Sequence, residues 1–394
     1  MIHQEQIPHI LKYMGGKREM LEAIGEEVQR IDDGTGRTFC DLFSGTAIVS
    51  YAFSDTYEVV SNDIQKYSSI FANTYSSDFS VYGDPERVVN NIMEECTSVV
   101  GKKVQQNGDL SFPYKETMSF AEMNQMEMDQ ASLIKRDFHT GFSLFQKCYS
   151  GTYWSYEQCL WIDSIRAVAE GHAHERLYYA ILSALVFAMS YCSQSTGHFA
   201  QFRTLTPDNY RSILIYRLRE IPEYFRKKLH ELLVALDHQP AHPIRSSSLD
   251  YIDCIATLPP HTIIYADPPY SAVHYSRFYH TLETLVLYDN PKLDYHGRYR
   301  GDRFQSPFDQ KRKVAQAFEA LFTSVREQSC HLLLSYSDNA MLDEDQIDEI
   351  ANRCLGAEYA KGRSSRDYQH MTMGRNDVGS MPVQELLLSY TRLA

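Results

Sequence analysis

Along the chain, short apolar runs of strand character alternate with stretches whose apolar residues recur at helical spacing. Met20, Leu21, Ile24, Val28 and Ile31 share one helical face, and the polar run Asp32-Asp33-Gly34-Thr35-Gly36 ends that helix. Residues 38–43 read as a first strand that closes on Ser44-Gly45-Thr46-Ala47 and leads into a second helix. Residues 57–61 form a second strand ending at Asn62-Asp63, and the run Ile263-Ile264-Tyr265-Ala266 is a third that stops on Asp267-Pro268-Pro269-Tyr270. Val314, Phe318, Leu321, Phe322 and Val325 mark an amphipathic helix, followed by strands over 331–336 and 385–390. Strands separated by helical stretches predict an α/β fold with a mostly parallel sheet.

The interval between the second and third strands is far longer than a crossover requires. It holds a polar, Met-rich segment (86–138), an aromatic-dense segment (142–161) and an apolar run of fifteen residues, 178–192, too short to span a membrane. A polar, glycine-centred loop at 193–203 then opens onto a basic tract. The predicted organisation is therefore an N-terminal part of the catalytic domain (1–75), an inserted, mostly helical region (76–248) and a C-terminal part (249–394). Any single aromatic of the insertion reads equally as core or as recognition surface.

Asp267 sits where an apolar strand ends, because two prolines cannot continue a ladder. Ligands of open α/β sheets bind at that edge. A carboxylate, a proline carbonyl and an aromatic ring held there suit a planar amine: Asp267 and the Pro268 carbonyl accept from an exocyclic NH2 while Tyr270 stacks on the heterocycle. The turn at 44–47, made of small residues before a helix, suits a nucleoside whose backbone approach needs missing side chains, and Asp63 at the next strand end suits ribose hydroxyls. No Gly-x-Gly-x-x-Gly is present.

Charge and cysteine content narrow the classes. The net charge of −13 speaks against a generic nucleic-acid coat protein, yet 298–313 carries six cations against Asp302 and Asp309, and 203–228 carries seven cations against three acids. Such tracts fit one basic cleft or solvated helix faces alike. Eight cysteines without a Cys-x-x-Cys pair argue against zinc and against a disulfide framework. His274 and His280 read as loop residues rather than metal ligands. The opening residues lack the basic and apolar regions of a signal peptide, so a cytoplasmic location is the expectation.

In order, Lys12-Tyr13-Met14-Gly15-Gly16-Lys17, Asp41-Leu42-Phe43-Ser44-Gly45-Thr46-Ala47, Asn62-Asp63 and Asp267-Pro268-Pro269-Tyr270 resemble the Dam-like α-type DNA adenine-N6 methyltransferases. The resemblance implies a Rossmann-like, S-adenosylmethionine-dependent methyltransferase sheet with an inserted target-recognition region. It implies that Tyr13 and Lys17 contact the cofactor, that Asp41, Phe43 and Gly45 line its pocket, that Asp63 holds its ribose, and that Asp267 lies close to it. Asp267, Pro268, Pro269 and Tyr270 would form the site of a flipped adenine, with no metal and no covalent intermediate required. Double-stranded DNA is the implied partner, with Arg203, Arg298, Arg300 and Arg303 expected to meet phosphates, and a cognate restriction endonuclease system as a possible companion. Lys361-Gly362-Arg363-Ser364-Ser365-Arg366 resembles the family's basic segment before its terminal strand. Two departures are Ala47, where the cofactor turn often has Gly, and the absence of the family's Asn-Gly-Leu stretch, so no base-reading residue is assigned. Cytosine-N4 and RNA adenine methyltransferases are the nearest enzyme alternatives, and a catalytically silent DNA-binding regulator is the alternative of another class. The Asp in first motif position and the Lys-Tyr-Met-Gly-Gly-Lys opening lean away from the first two, and the intact Asp-Pro-Pro-Tyr from the third.

Overall fold

In the computed structural model, the structure describes residues 4–11, 16–108, 110–138, 140–195, 198–270, 274, 276–337, 340–369 and 382–393. Seven strands form the central sheet: β1 (Thr38–Asp41), β2 (Glu58–Asn62), β3 (Ile244–Ser247), β4 (Ile263–Ala266), β5 (His331–Ser337), β6 (Tyr359–Gln369) and β7 (Pro382–Arg392). Their order is β3-β2-β1-β4-β5-β7-β6. The first five in that order pair in parallel, while β7 runs antiparallel to both neighbours. The strand order reverses between β1 and β4, which opens a crevice at their carboxyl ends.

β1 and β4 are buried along their whole length, as expected for central parallel strands covered on both faces. One face packs on the helices Leu21–Ile31, Lys66–Tyr75, Leu177–Cys192 and Ile221–Ala235, joining Ile24, Phe39, Phe71, Leu182, Leu229 and Leu333 in one cluster. The other face packs on Tyr251–Ala256, Val314–Glu327 and Glu344–Leu355 through Ile264, Phe318, Leu332 and Ile347. Each fully buried Leu or Phe contributes about 1.5–3 kcal/mol of transfer free energy, so both faces are needed to hold the sheet.

The inserted region shares this core. Its apolar helix Leu177–Cys192 lies against Lys66–Tyr75, with Thr74 and Ser183 joined through their hydroxyls at 2.7 Å. β3 belongs to the sheet although it precedes the predicted boundary at 248. Three local features add to the sequence pattern. The segment after the catalytic turn, read as loop, includes the helix Ser276–Leu287, on which His280 is buried. The start of the basic stretch forms one arm of a two-stranded hairpin, Leu293–Asp294 with Tyr299–Arg300. The basic segment 361–366 precedes the terminal strand β7 and lies within β6. Among the described residues no helix is long and apolar enough to cross a membrane.

Candidate active site

The carboxyl ends of β1, β2 and β4 build the site. After β1 the chain turns sharply, with Gly45 at φ +49° and Ala47 at φ +57°. The left-handed value at Ala47 costs an L-residue about 1–2 kcal/mol, which is why Gly suits this position and why the smallest side chain is tolerated. Asp63 fixes the turn: Oδ2 accepts the Gly45 N–H at 3.0 Å, and Oδ1 accepts the Gln65 N–H at 2.9 Å. Burial pushes its carboxyl up to about 6, against the lowering effect of these two N–H groups. Ser44 N–H donates to the Asn62 carbonyl at 2.9 Å, and the Asn62 side chain ties Leu42 to Leu249, joining the ends of β1, β2 and the β3 exit.

Asp41, expected in the cofactor pocket, lies one layer behind the turn. It is 2% exposed, and its Oδ2 accepts from the Ser50 N–H at 3.0 Å and the Ser50 hydroxyl at 2.7 Å, which anchors the start of the helix Ile48–Phe53. Burial pushes its carboxyl up to about 7. Phe43 is half-buried in an aromatic group with Tyr251 and Phe308. Tyr13 lies outside the described residues.

Asp267 follows β4 directly, and the Leu42 N–H donates to the Tyr265 carbonyl at 2.9 Å, so the β1 turn and the Asp267 turn are adjacent. Lys17 stands between two acids. Its Nζ lies 3.1 Å from Asp267 Oδ1 and 2.6 Å from Glu385 Oε1 of β7. Burial pushes the Asp267 carboxyl up to about 7, an effect that Lys17 opposes and Glu385 reinforces. Pro268 is buried, whereas Pro269 and Tyr270 are half-exposed, and the Tyr270 ring meets Tyr336 edge-on at 6.2 Å between centroids. The Lys17–Asp267 pair and the Asp63–Gly45 turn thus lie at the adjacent carboxyl ends of β4, β1 and β2, brought there from elements far apart in the chain.

Two site residues have no local signal in the sequence. Glu385 is one. Glu283 is the other: its two oxygens accept the Lys66 and Tyr67 N–H groups at 3.1 and 3.2 Å, capping the helix that leaves Asp63. Both meet partners hundreds of residues away, and neither sits in a pattern that would single it out.

The expected phosphate ligands fare differently. Arg300 is 2% exposed and held bidentate by Asp289 at 2.6 and 2.8 Å and by Asp302 at 3.1 and 2.9 Å. It is a strut of the hairpin, a correction to its expected role, because both edges of its guanidinium face carboxylates. Arg298 is half-buried and donates through Nε to the Cys148 carbonyl. Arg303 donates through Nε to the Arg300 carbonyl at 2.9 Å and lies over the Tyr299 ring at 4.6 Å. Arg203 reaches Ser212 at 2.9 Å. The hairpin and the 198–203 loop dock together: Tyr299 donates to the Ala200 carbonyl, and Tyr153 to the Gly297 carbonyl at 3.0 Å. Buried beneath them, His280 donates from Nε2 to the Phe199 carbonyl at 2.9 Å, and burial pulls its pKa down to about 3. The hairpin and the 198–203 loop are therefore joined in one unit.

At the opposite edge of the sheet, Asp33, His261 and His331 bring ligand-type atoms within 4.8 Å of one another. His331 Nδ1 accepts the Arg392 N–H at 3.2 Å, which places the proton of a neutral ring on Nε2, facing Asp33 at 3.4 Å. That tautomer turns its N–H toward the carboxylate and offers a metal no lone pair on that side.

A protein-family model described as D12 class N6 adenine-specific DNA methyltransferase matches residues 13–333. The modification methylase LlaI of Lactococcus lactis subsp. lactis is 25% identical over 353 residues, 87% of this chain and 49% of that protein. The type II methyltransferase M.FokI of Planomicrobium okeanokoites is 25% identical over 86% of this chain and 46% of its own. The type II methyltransferase M.NlaIII of Neisseria lactamica is 24% identical over 87% of this chain and 88% of its own. The chain spans about half the length of the first two and most of the third.

Proposed function

We propose, from the premise that this chain belongs to the D12 class N6 adenine-specific DNA methyltransferases, that it transfers a methyl group from S-adenosylmethionine to adenine N6 at a specific site in double-stranded DNA. The observation that carries this reading is the placement of Asp267 at the end of β4, beside the Gly45 turn that Asp63 holds at the ends of β1 and β2.

The crevice fits the methyl donor in its donor set. A tight turn with φ-positive Gly45 and Ala47 admits a nucleoside close to the backbone, and the Asp63 carboxylate has lone pairs beyond the two that Gly45 and Gln65 use. S-adenosylmethionine, when bound, supplies an electrophilic methyl on a sulfonium. The chain's own residues do the rest. A target base swung out of the duplex presents its N6 amine to the Asp267 carboxylate and the Pro268 carbonyl. These acceptors orient the amine lone pair toward the methyl and stabilise the positive charge that develops on nitrogen. Tyr270, edge-packed on Tyr336, offers a ring face to the base. The docked hairpin and 198–203 loop flank the site with Arg203, Arg298 and Arg303 as the phosphate-meeting cations. Two of the similar proteins bear type II names, which supports a place beside a restriction nuclease.

The test is digestion of plasmid DNA to nucleosides after incubation with the purified chain and the methyl donor. The digest is expected to contain N6-methyl-2′-deoxyadenosine, which single-molecule sequencing of the undigested DNA places in one sequence context. N4-methylcytosine, or labelled RNA with unlabelled DNA, would overturn the assignment.

A further inference from the structure

Glu385 lies on the strand face of Leu387, which is packed in the core, so the fold would accept an apolar side chain there. It is instead a carboxylate with 1% exposure, and its Oε1 accepts from Lys17 at 2.6 Å and from the Ser335 hydroxyl at 2.6 Å. Lys17 sits 3.1 Å from Asp267 on its other side. Left alone with Asp267, a buried ammonium would make a neutral pair and bridge both oxygens of the acceptor that the amine needs. We propose that Glu385 is a positioning residue of the methyl-transfer site: it draws the Lys17 ammonium toward β7 and so preserves Asp267 as an acceptor for the substrate amine. The inference rests on the proposed adenine site.

Charge supports the geometry. Asp267 faces Lys17 from the N-terminal turn, Glu385 from β7, Tyr265 from β4, Tyr270 from its own turn and Asp41 from β1. Burial alone would pull the Lys17 ammonium down, but Asp267 and then Glu385 hold it above its ordinary value. Lys17 is one cation shared by two carboxyl groups, 3.1 Å from Asp267 and 2.6 Å from Glu385, so it cannot saturate Asp267 as an acceptor. A protonated Asp267 cannot serve, so methyl transfer rises with pH as this carboxyl ionises near 7.

The experiment is single-turnover methyl transfer at saturating S-adenosylmethionine and DNA, followed across pH for the wild-type chain, Glu385→Gln and Glu385→Asp, with melting curves to check folding. Glu385→Gln is expected to lower the plateau rate about tenfold or more with donor affinity held within about twofold. Its acid limb should move to lower pH, because a carboxylate relieved of a like-charged neighbour ionises more readily. Glu385→Asp keeps the charge but withdraws it by one methylene, and should show an intermediate plateau with the wild-type acid limb. A Glu385→Gln enzyme with the wild-type acid limb, whatever its rate, overturns the inference, as does a Glu385→Asp enzyme with the full plateau rate if the Gln variant does not fold. A wild-type chain that labels no adenine overturns the proposed function as well, whereas wild-type labelling with unshifted variants overturns this inference alone.

Discussion

Asp63 holds the Gly45 turn by a 3.0 Å bond, and in the proposed reading the same carboxylate accepts from the ribose of the methyl donor. Asp63→Ala removes a charge-assisted acceptor, so affinity for S-adenosylmethionine should weaken by about 1–3 kcal/mol. Calorimetry checks this, and an unchanged Kd in a folded variant contradicts the ribose role. Asp63 and Asp267 are legible in the sequence because each stops a recognisable strand, and chemistry at strand ends needs no tertiary information. Glu385 and Glu283 are not legible, since their partners lie 368 and 217 residues away and only the sheet and helix packing bring them together. Asp41 shows the limit from the other side. A motif position marks it, yet the structure spends it on Ser50 behind the turn.

At the scale of elements, the pattern identifies β1, β2, β4, β5 and the 385–390 part of β7, in which every residue but Glu58 is buried. β3 escapes it because an edge strand reading Ile-Arg-Ser-Ser buries only Ile244 and carries no alternation to detect. The hairpin at 293–300 escapes it for another reason: its signal is an ion-pair cluster, not a hydrophobic period. Charge counting makes Arg300 a phosphate ligand, but Asp289 and Asp302 claim it. Arg300→Gln should therefore lower stability by about 1–3 kcal/mol through an uncompensated acid pair. It should leave the dependence of DNA affinity on salt within error, where a true phosphate contact would change the log–log slope by about 0.9. Melting curves and binding isotherms at several salt concentrations separate the two, and a flattened slope with unchanged stability would restore the phosphate role.

At the scale of the whole molecule, the inserted region and the sheet share one hydrophobic cluster, and the 198–203 loop and the hairpin are tied to it through Tyr153, His280 and Phe278. In the proposed reading, a chain of net charge −13 meets DNA through the cations these two segments carry, Arg203, Arg298 and Arg303. Organisation in the chain is legible as an α/β pattern interrupted by a long helical insertion. That the insertion's apolar helix Leu177–Cys192 covers the sheet is not, since a uniformly apolar helix does not say which surface it packs on.

The central claim is that Asp267 orients the adenine amine for direct methyl transfer without itself being needed to hold the fold. Single-turnover transfer of a labelled methyl group, measured for the wild-type chain and Asp267→Ala with donor and DNA both saturating, tests it most directly. The predicted result is N6-methyladenine from the wild type and a rate lower by about 100-fold or more in the variant, with DNA affinity and melting temperature close to the wild type. An Asp267→Ala enzyme that methylates adenine at near the wild-type rate would contradict the account.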